Sequence, residues 1–293
     1  MKLEKTIKNF VDDTCGLIWQ KLNQKGVRGV GVTGSYARGD YSSSRPDVNF
    51  AIFAQEETPQ LMLEIGQIIS GLNSKYSHLV NLRPEYHPDR FVFPWGRDTE
   101  KIDLFFKIAV FGLENKDSPM PFGRPGFVIE GHKLSIKIWH GENCFHDVKI
   151  SSSNEEVIKG NNHVLSQWVK NSKLTPLSYN LSRDTDLFFN ESLIWGKLAI
   201  QQFAWIQGIK NGLDYAKAKD RAEIFDKVHH KEKLRSFLNL PPSEKNLVNL
   251  ILDARLNYDK WKNDPKLAEK IYLASTHLLD YFMAESKLLA SHL

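Results

Sequence analysis

Two strand-borne acids and one amide stand out among the 293 residues: Asp47, Asp103 and Asn49. Asp47 opens the apolar run Val48–Ala54, and Asp103 opens Leu104–Phe111. Residues i and i+2 of a strand share a face, so Asp47 and Asn49 project to the same side. Carboxylates that lean in from adjacent strands are hard oxygen ligands of the kind Mg²⁺ takes. Gly34-Ser35 follows a third apolar stretch, Val27–Thr33 (VRGVGVT). Glycine at that point lets the backbone approach an anion closely, and N–H groups and a hydroxyl can donate to phosphate oxygens. Arg38 lies one helical turn further on. Acids on strands beside an anion-accepting turn are what phosphate chemistry needs. A hydroxyl attacks a phosphorus, a leaving group departs, and cations spread the charge that develops.

The elements that must position these residues follow from periodicity. Leu3, Ile7, Phe10, Val11, Ile18 and Leu22 recur at three- and four-residue spacing, which predicts a helix ending near Gly26. Val27–Thr33 reads as a strand with Gly34-Ser35 as its exit turn, and Tyr36–Gly39 as the start of a helix. Val48–Ala54 is apolar almost throughout, as in a strand covered on both faces. Leu61–Leu72 is helical, and Ile102–Phe111 is a strand. Phe127–Glu130 and Lys133–Trp139 around Gly131-His132 predict a β-hairpin. From about residue 154 the strand signals stop. Ser151–Ser153 before Asn154-Glu155-Glu156 marks a helix start, and Leu187–Trp205, Leu247–Trp261 and Leu267–Leu289 are helical. The expected organisation is a sheet domain over 1–150 and a helical domain for substrate or partner over 151–293, with a cleft between them.

Gly-Ser after an apolar strand, an acid twelve positions past the serine, and a further acid-led strand form the site pattern of the DNA polymerase β-like nucleotidyltransferases. The chain resembles that superfamily over about residues 25–110. The helical half is similar in architecture only to small antibiotic-modifying nucleotidyltransferases of the kanamycin type. The resemblance implies an α/β (α+β) nucleotidyltransferase-like domain with a C-terminal all-α bundle. It implies a nucleoside triphosphate as substrate, with Mg²⁺ held by Asp47, Asn49 and Asp103. Gly34, Ser35 and Arg38 would contact the phosphates, with Asp47 and Asp103 as the catalytic acids. In the kanamycin group a helix of the second domain carries a base and a phosphate-contacting lysine. Lys197 in FNESLIWGKLA is the counterpart of that lysine. The acid expected one turn earlier is Leu193, and Glu191 is displaced.

Asn49 departs from the pattern. The second acid of the superfamily commonly bridges two cations, whereas Asn offers one neutral carbonyl oxygen and removes a negative charge. Asp40, Asp98 and Glu100 are the other acids in the region, and none is placed to replace it. Three functions follow: transfer of a nucleoside monophosphate to a hydroxyl of a small molecule, a catalytically degenerate relative that binds nucleotide or a partner, and nucleotidyl transfer to RNA.

Composition bounds these readings. A formal charge of +4 with 25% charged residues is compatible with an anionic ligand but gives no nucleic-acid signature of its own. Cys15 and Cys144, far apart, make no disulfide framework. The charged start MKLEKTIKNFVDD is not a signal peptide, and Leu104–Leu113 contains Lys107 and is too short to span a bilayer, so a cytoplasmic protein is expected. Gly29–Gly34 matches GxGxxG, but its first glycines lie inside the strand and Asp47 comes too early for a dinucleotide fingerprint. His140, Cys144 and His146 lack a fourth metal partner. Lys210, Lys217, Lys219, Arg221 and Lys227 read as a solvated face, or as a phosphate or RNA clamp if they converge. Trp95, Trp139, Trp195 and Trp205 read as core, with a cleft lining as the sharper alternative.

Overall fold

A computed structural model of the chain describes residues 2–41, 46–84, 101–117, 121–123, 126–150 and 153–291. Asp98, Glu100, Trp95 and the first two serines of Ser151–Ser153 lie outside them. The chain divides into two compact units, Met1–Ile150 and Ser151–Leu293.

The first unit opens with α1 (Lys2–Leu22), whose Ile7, Phe10, Val11, Ile18 and Leu22 are buried. Gly26 then turns the chain at φ +100°, a left-handed conformation that a Cβ would strain. The strand β1 (Val27–Thr33) leads into the one-turn helix α2 (Gly34–Arg38). Next come β2 (Asp47–Ala54), α3 (Pro59–Tyr76), β3 (Asn81–Pro84) and β4 (Asp103–Gly112). The helix α4 (Gly126–Ser135) and the strand β5 (Lys137–Gly141) complete the unit. Thr58 caps α3 by accepting from the Leu61 N–H at 3.2 Å, with Pro59 in the first turn, where its missing N–H costs nothing.

The five strands form one mixed sheet in the order β3-β4-β2-β1-β5. β1 runs antiparallel to β2 and β5, while β4 runs parallel to β2 and β3. Alternation along the strands gives the sheet two unlike faces. Val30, Val32, Val48, Phe50, Ile52, Leu104, Phe106 and Val110 pack with α1 and α3 in one core. Two hydrogen bonds tie α3 to α1: Lys75 Nζ and the Tyr76 hydroxyl both donate to Asp13 Oδ2, at 2.6 and 2.5 Å. Trp139 Nε1 on β5 donates to Asp12 of α1 at 2.9 Å.

The opposite face is apolar over only half its length. Ala51, Phe53 and Phe111 pack there with Ile129 of α4 and with Phe145, whose ring meets Phe53 and Phe111 edge-on at 4.7 and 4.8 Å. The hairpin expected around Gly131-His132 is not formed; that segment is α4. The reason lies in the partner it covers. Ile129 and His132, three residues apart on one helix face, meet Phe145, with the imidazole stacked parallel to its ring. Ser135 Oγ donates back to the Gly131 carbonyl at 2.8 Å, closing the last turn.

The glycines of the GxGxxG match serve strand pairing. A Cβ on Gly31 would stand 2.5 Å from the Lys137 carbonyl oxygen, and one on Gly29 would stand 2.1 Å from that of Glu142. β5 approaches β1 closely because those side chains are missing.

The second unit is helical throughout: α5 (Asn154–Ser172), α6 (Thr175–Ser182), α7 (Thr185–Lys210), α8 (Ala218–His229), α9 (Lys231–Phe237), α10 (Pro242–Leu256), α11 (Tyr258–Trp261) and α12 (Pro265–Ala290). Ser153 and Glu156 form a capping box at the start of α5. α7 is buried on most sides and packs on α12, where Phe203 stacks on Phe282 at 4.2 Å. Gly196 brings the two helices together, since a Cβ there would lie 2.6 Å from Ser275 Oγ. The helix expected over Leu247–Trp261 breaks at Asn257, whose side-chain amide donates to the Asp253 carbonyl at 3.0 Å and ends α10. The α+β sheet domain followed by an all-helical region, as expected from the sequence, is thus present.

Two glycine substitutions separate the roles. Gly31→Ala forces backbone apart at β5 and destabilises the protein by about 1–3 kcal/mol. Gly71→Ala, in α3 with open space around its Cβ position, stabilises it by about 0.5–1 kcal/mol. Urea denaturation of both variants checks the signs; a neutral Gly31→Ala contradicts the close approach of β5.

Candidate functional site

The polar half of the second sheet face lies where β1 ends and where β2 and β4 begin. Strand register arranges it in rows. Asn81 of β3 pairs with Asp103 of β4. The next row is Arg83, Phe105 and Asp47, from β3, β4 and β2. The row after that is Lys107, Asn49 and Thr33, from β4, β2 and β1. Beyond it come the small residues Ala109, Ala51 and Gly31, and then the apolar cluster under α4. The odd-numbered residues of β4 face this side because Leu104, Phe106 and Val110 belong to the opposite core.

Gly34 stands directly over this patch. It has φ +75°, and a Cβ there would lie 3.0 Å from Asn49 Nδ2. The turn and the strand residue therefore share one space that only glycine leaves open. The Gly34 N–H, expected to face a phosphate, donates to Ser135 Oγ at 3.2 Å. Ser35 and Arg38 are half-buried on α2. Arg38 pairs with Asp40 at 3.2 Å across the αL turn at Gly39. Burial, and then the neighbouring Tyr41 hydroxyl, push the Tyr36 phenol up to about 12, so it stays neutral beside the turn.

The acids are unequally placed. Asp47 Oδ1 is buried and has no hydrogen-bond partner among the described residues. Asp103 is engaged: its Oδ1 accepts from Asn81 Nδ2 at 3.0 Å and from Arg83 Nε at 3.2 Å. The Arg83 and Asp103 side chains are 11% and 14% exposed, so this ion pair is shielded from water. Strand geometry puts the Cα atoms of Asp47 and Asp103 about 8 Å apart, with Phe105 between Arg83 and Asp47.

The donor set does not fit a pair of cations. One of the three positions carries the neutral amide of Asn49, Asp103 is held by Arg83, and Lys107 occupies the register position beside Asn49. Among the described residues no group of three or more His, Cys, Asp or Glu side chains is arranged to hold a metal ion.

Arg83, Asn81, Lys107 and Ser135 carry no sequence motif. The first three acquire their places through β3–β4–β2 register, and Ser135 through a helix expected as a hairpin. Lys197 lies half-buried on α7, in the second unit. Leu193 and Glu191 on the same helix are buried, which removes Glu191 as an exposed base. Three residues of the basic run have separate local partners. Lys210 pairs with Glu285, Lys217 with Asp214, and Arg221 is buried with its guanidinium donating to the Tyr215 carbonyl at 2.6 Å. Trp139, Trp195 and Trp205 each have a partner within their own unit: Asp12, Thr175 and Tyr215. A cavity of about 440 Å³ lined by Arg28, Gln55, Glu114, Lys116 and Cys144 lies at the opposite end of the strands and shares no residue with the patch. Burial pushes the Cys144 thiol up to about 11 and that of Cys15 higher still, so neither is a nucleophile at neutral pH.

No protein-family model and no curated protein sequence matches the chain. A structural match is the crystal structure of spectinomycin adenyltransferase AAD(9) from Enterococcus faecialis with ATP and spectinomycin. It is 12% identical, covers 93% of this chain and 98% of that chain, and has a TM-score of 0.41. That score and identity add nothing to what the elements themselves show. No helix among the described residues is long and apolar enough to cross a membrane.

Arg83→Met removes the guanidinium from the shielded Asp103 carboxylate, at a cost of about 2–3 kcal/mol. Denaturant titration of the variant measures it. A cost below about 0.5 kcal/mol is what a solvent-screened pair would give, and would contradict the shielded geometry.

Proposed function

We propose that the first unit is a nucleotidyltransferase-like nucleoside-triphosphate-binding domain lacking a two-cation centre, a degenerate relative of the transferring enzymes. The observation that carries this reading is the polar half-face beneath Gly34. It joins Asp47, Asn49 and Lys107 to the Gly34–Ser35 turn at the end of the strands away from the apolar cluster under α4. A built core spends strand positions on apolar residues, and a patch of half-buried polar residues that escapes this marks a binding surface. In this reading Gly34, Ser35 and Arg38 contact the phosphates. The second unit serves a small molecule or a partner. RNA is disfavoured because Lys210, Lys217 and Arg221 are spent on separate local partners. A cytoplasmic location is part of the proposal.

A second reading is transfer of a nucleoside monophosphate from the triphosphate to a hydroxyl of a small molecule with Mg²⁺, with Asp47 and Asp103 as the catalytic acids. One observation favours it: the buried, unpartnered Oδ1 of Asp47 is an oxygen that a cation would satisfy. Bound there, Mg²⁺ would supply charge neutralisation at the phosphates.

ATP titration by calorimetry, together with pyrophosphate release in the presence of Mg²⁺ and polyhydroxylated small molecules, decides between them. The native protein is expected to bind ATP with Kd below about 1 mM and to release no pyrophosphate. Release by the native protein establishes the second reading. Absence of ATP binding in both the native protein and Asn49→Asp removes both.

A further inference from the structure

Two buried polar atoms of opposite kind lie in one row of the sheet, and neither has a hydrogen-bond partner among the described residues. Asp47 Oδ1 on β2 is an acceptor, and Arg83 Nη2 on β3 is a donor. Arg83 is buried, and its Nε donates to Asp103 Oδ1 at 3.2 Å, which leaves Nη2 over. Register puts Phe105 of β4 between the two side chains, on the face that carries Asn49. With neighbouring strands about 4.8 Å apart, the Cα atoms of Asp47 and Arg83 stand about 10 Å apart. Buried polar groups are paired almost without exception, and one left unpaired costs about 1–3 kcal/mol, more where it is charged. A row that keeps both an acceptor and a donor suits a ligand group that donates and accepts at once. Ionised phosphate oxygens only accept, so they answer Arg83 and not Asp47. Hydroxyls do both.

From this pairing we infer that the row of Asp47, Phe105 and Arg83 binds the ribose of a nucleoside triphosphate, its 2′- and 3′-hydroxyls donating to Asp47 Oδ1 and accepting from Arg83 Nη2. The inference rests on the triphosphate-binding reading above and adds an orientation to it. Gly34 lies over Asn49, one row further in, so the phosphates take the β1 side of the patch and the nucleoside extends across β2 and β4 toward β3. Asp47 then receives a hydroxyl instead of a cation. A hydroxyl that donates to a carboxylate makes a strong, charge-assisted contact. The contact also discriminates, because a ligand without the hydroxyl leaves the buried groups of the site unpaired.

The test is calorimetric titration of the full chain with ATP, with 2′,3′-dideoxy-ATP and with inorganic tripolyphosphate, each in EDTA and in excess Mg²⁺. The native protein is expected to bind ATP at least about tenfold more tightly than dideoxy-ATP in EDTA. Asp47→Ala and Arg83→Lys, the second of which keeps a cation for Asp103, each reduce that ratio to within about threefold. In neither variant does the affinity for tripolyphosphate fall by more than about threefold, because the phosphates bind at the turn. Thermal melts establish that the variants are folded, and either one alone carries the test. Equal affinity of the native protein for ATP and dideoxy-ATP overturns the inference and leaves the triphosphate-binding reading standing. So does a folded variant that keeps the native preference, or a loss in Asp47→Ala that strikes both nucleotides alike and only in Mg²⁺. No binding of any of the three probes under either condition overturns both.

Discussion

The parallel pairing of β2 with β4 fixes everything at the candidate site. It sets Asn49 beside Lys107 and Asp47 beside Phe105, and it places Asp103 beyond the first residue of β2, against Arg83 and Asn81 of β3. Side-chain period in a strand is two, so a slip of one residue would send Lys107 into the core packed by α1 and α3 and bring Phe106 to the surface. The apolar residues Leu104, Phe106 and Val110 hold the register against that slip, because each has a buried place in that core. The site is thus a by-product of core packing. Its charges are where they are because their neighbours are hydrophobic.

The opposite half of the same face explains why the polar patch is confined. Phe53, Phe111 and Phe145 form a ring cluster closed by α4, and that cluster uses the sheet surface up to Ala51 and Ala109. α4 reaches back toward the site through Ser135, which accepts from the Gly34 N–H. The turn that would receive an anion is therefore held by the helix that seals the apolar half. Two consequences of strand alternation, a sealed half and a polar half, meet at one backbone amide.

Much of this was legible in the sequence. Elements with strong periodicity announced themselves: α1, β1, β2, α3, β4, α7 and α12 lie close to where spacing and turn residues put them. The capping box at Ser153 was visible as a serine followed three residues later by a glutamate. Gly34, Ser35, Asp47 and Asp103 could be singled out because each opens or closes an apolar run, and Asn49 because it stands two residues after Asp47 on the same strand face. What was not legible depended on contacts between distant segments. α4 looks like a hairpin locally, since Gly131-His132 is a turn signal, and only Phe145 makes helix the better solution. Arg83 and Lys107 look like ordinary strand charges until β3 and β4 are laid beside β2. No local pattern encodes that pairing. The acid pattern alone does not reveal that Asp103 is held by Arg83 of a neighbouring strand.

The central claim is the proposal that the patch beneath Gly34 receives a triphosphate without a two-cation centre. A crystal structure of the full chain grown in EDTA with ATP tests this most directly. The account predicts phosphate oxygens against the Gly34–Ser35 turn, with Arg83 still on Asp103. Phosphates located elsewhere, or ordered at this patch only when Mg²⁺ is supplied and coordinated by Asp47 and Asp103, would contradict it.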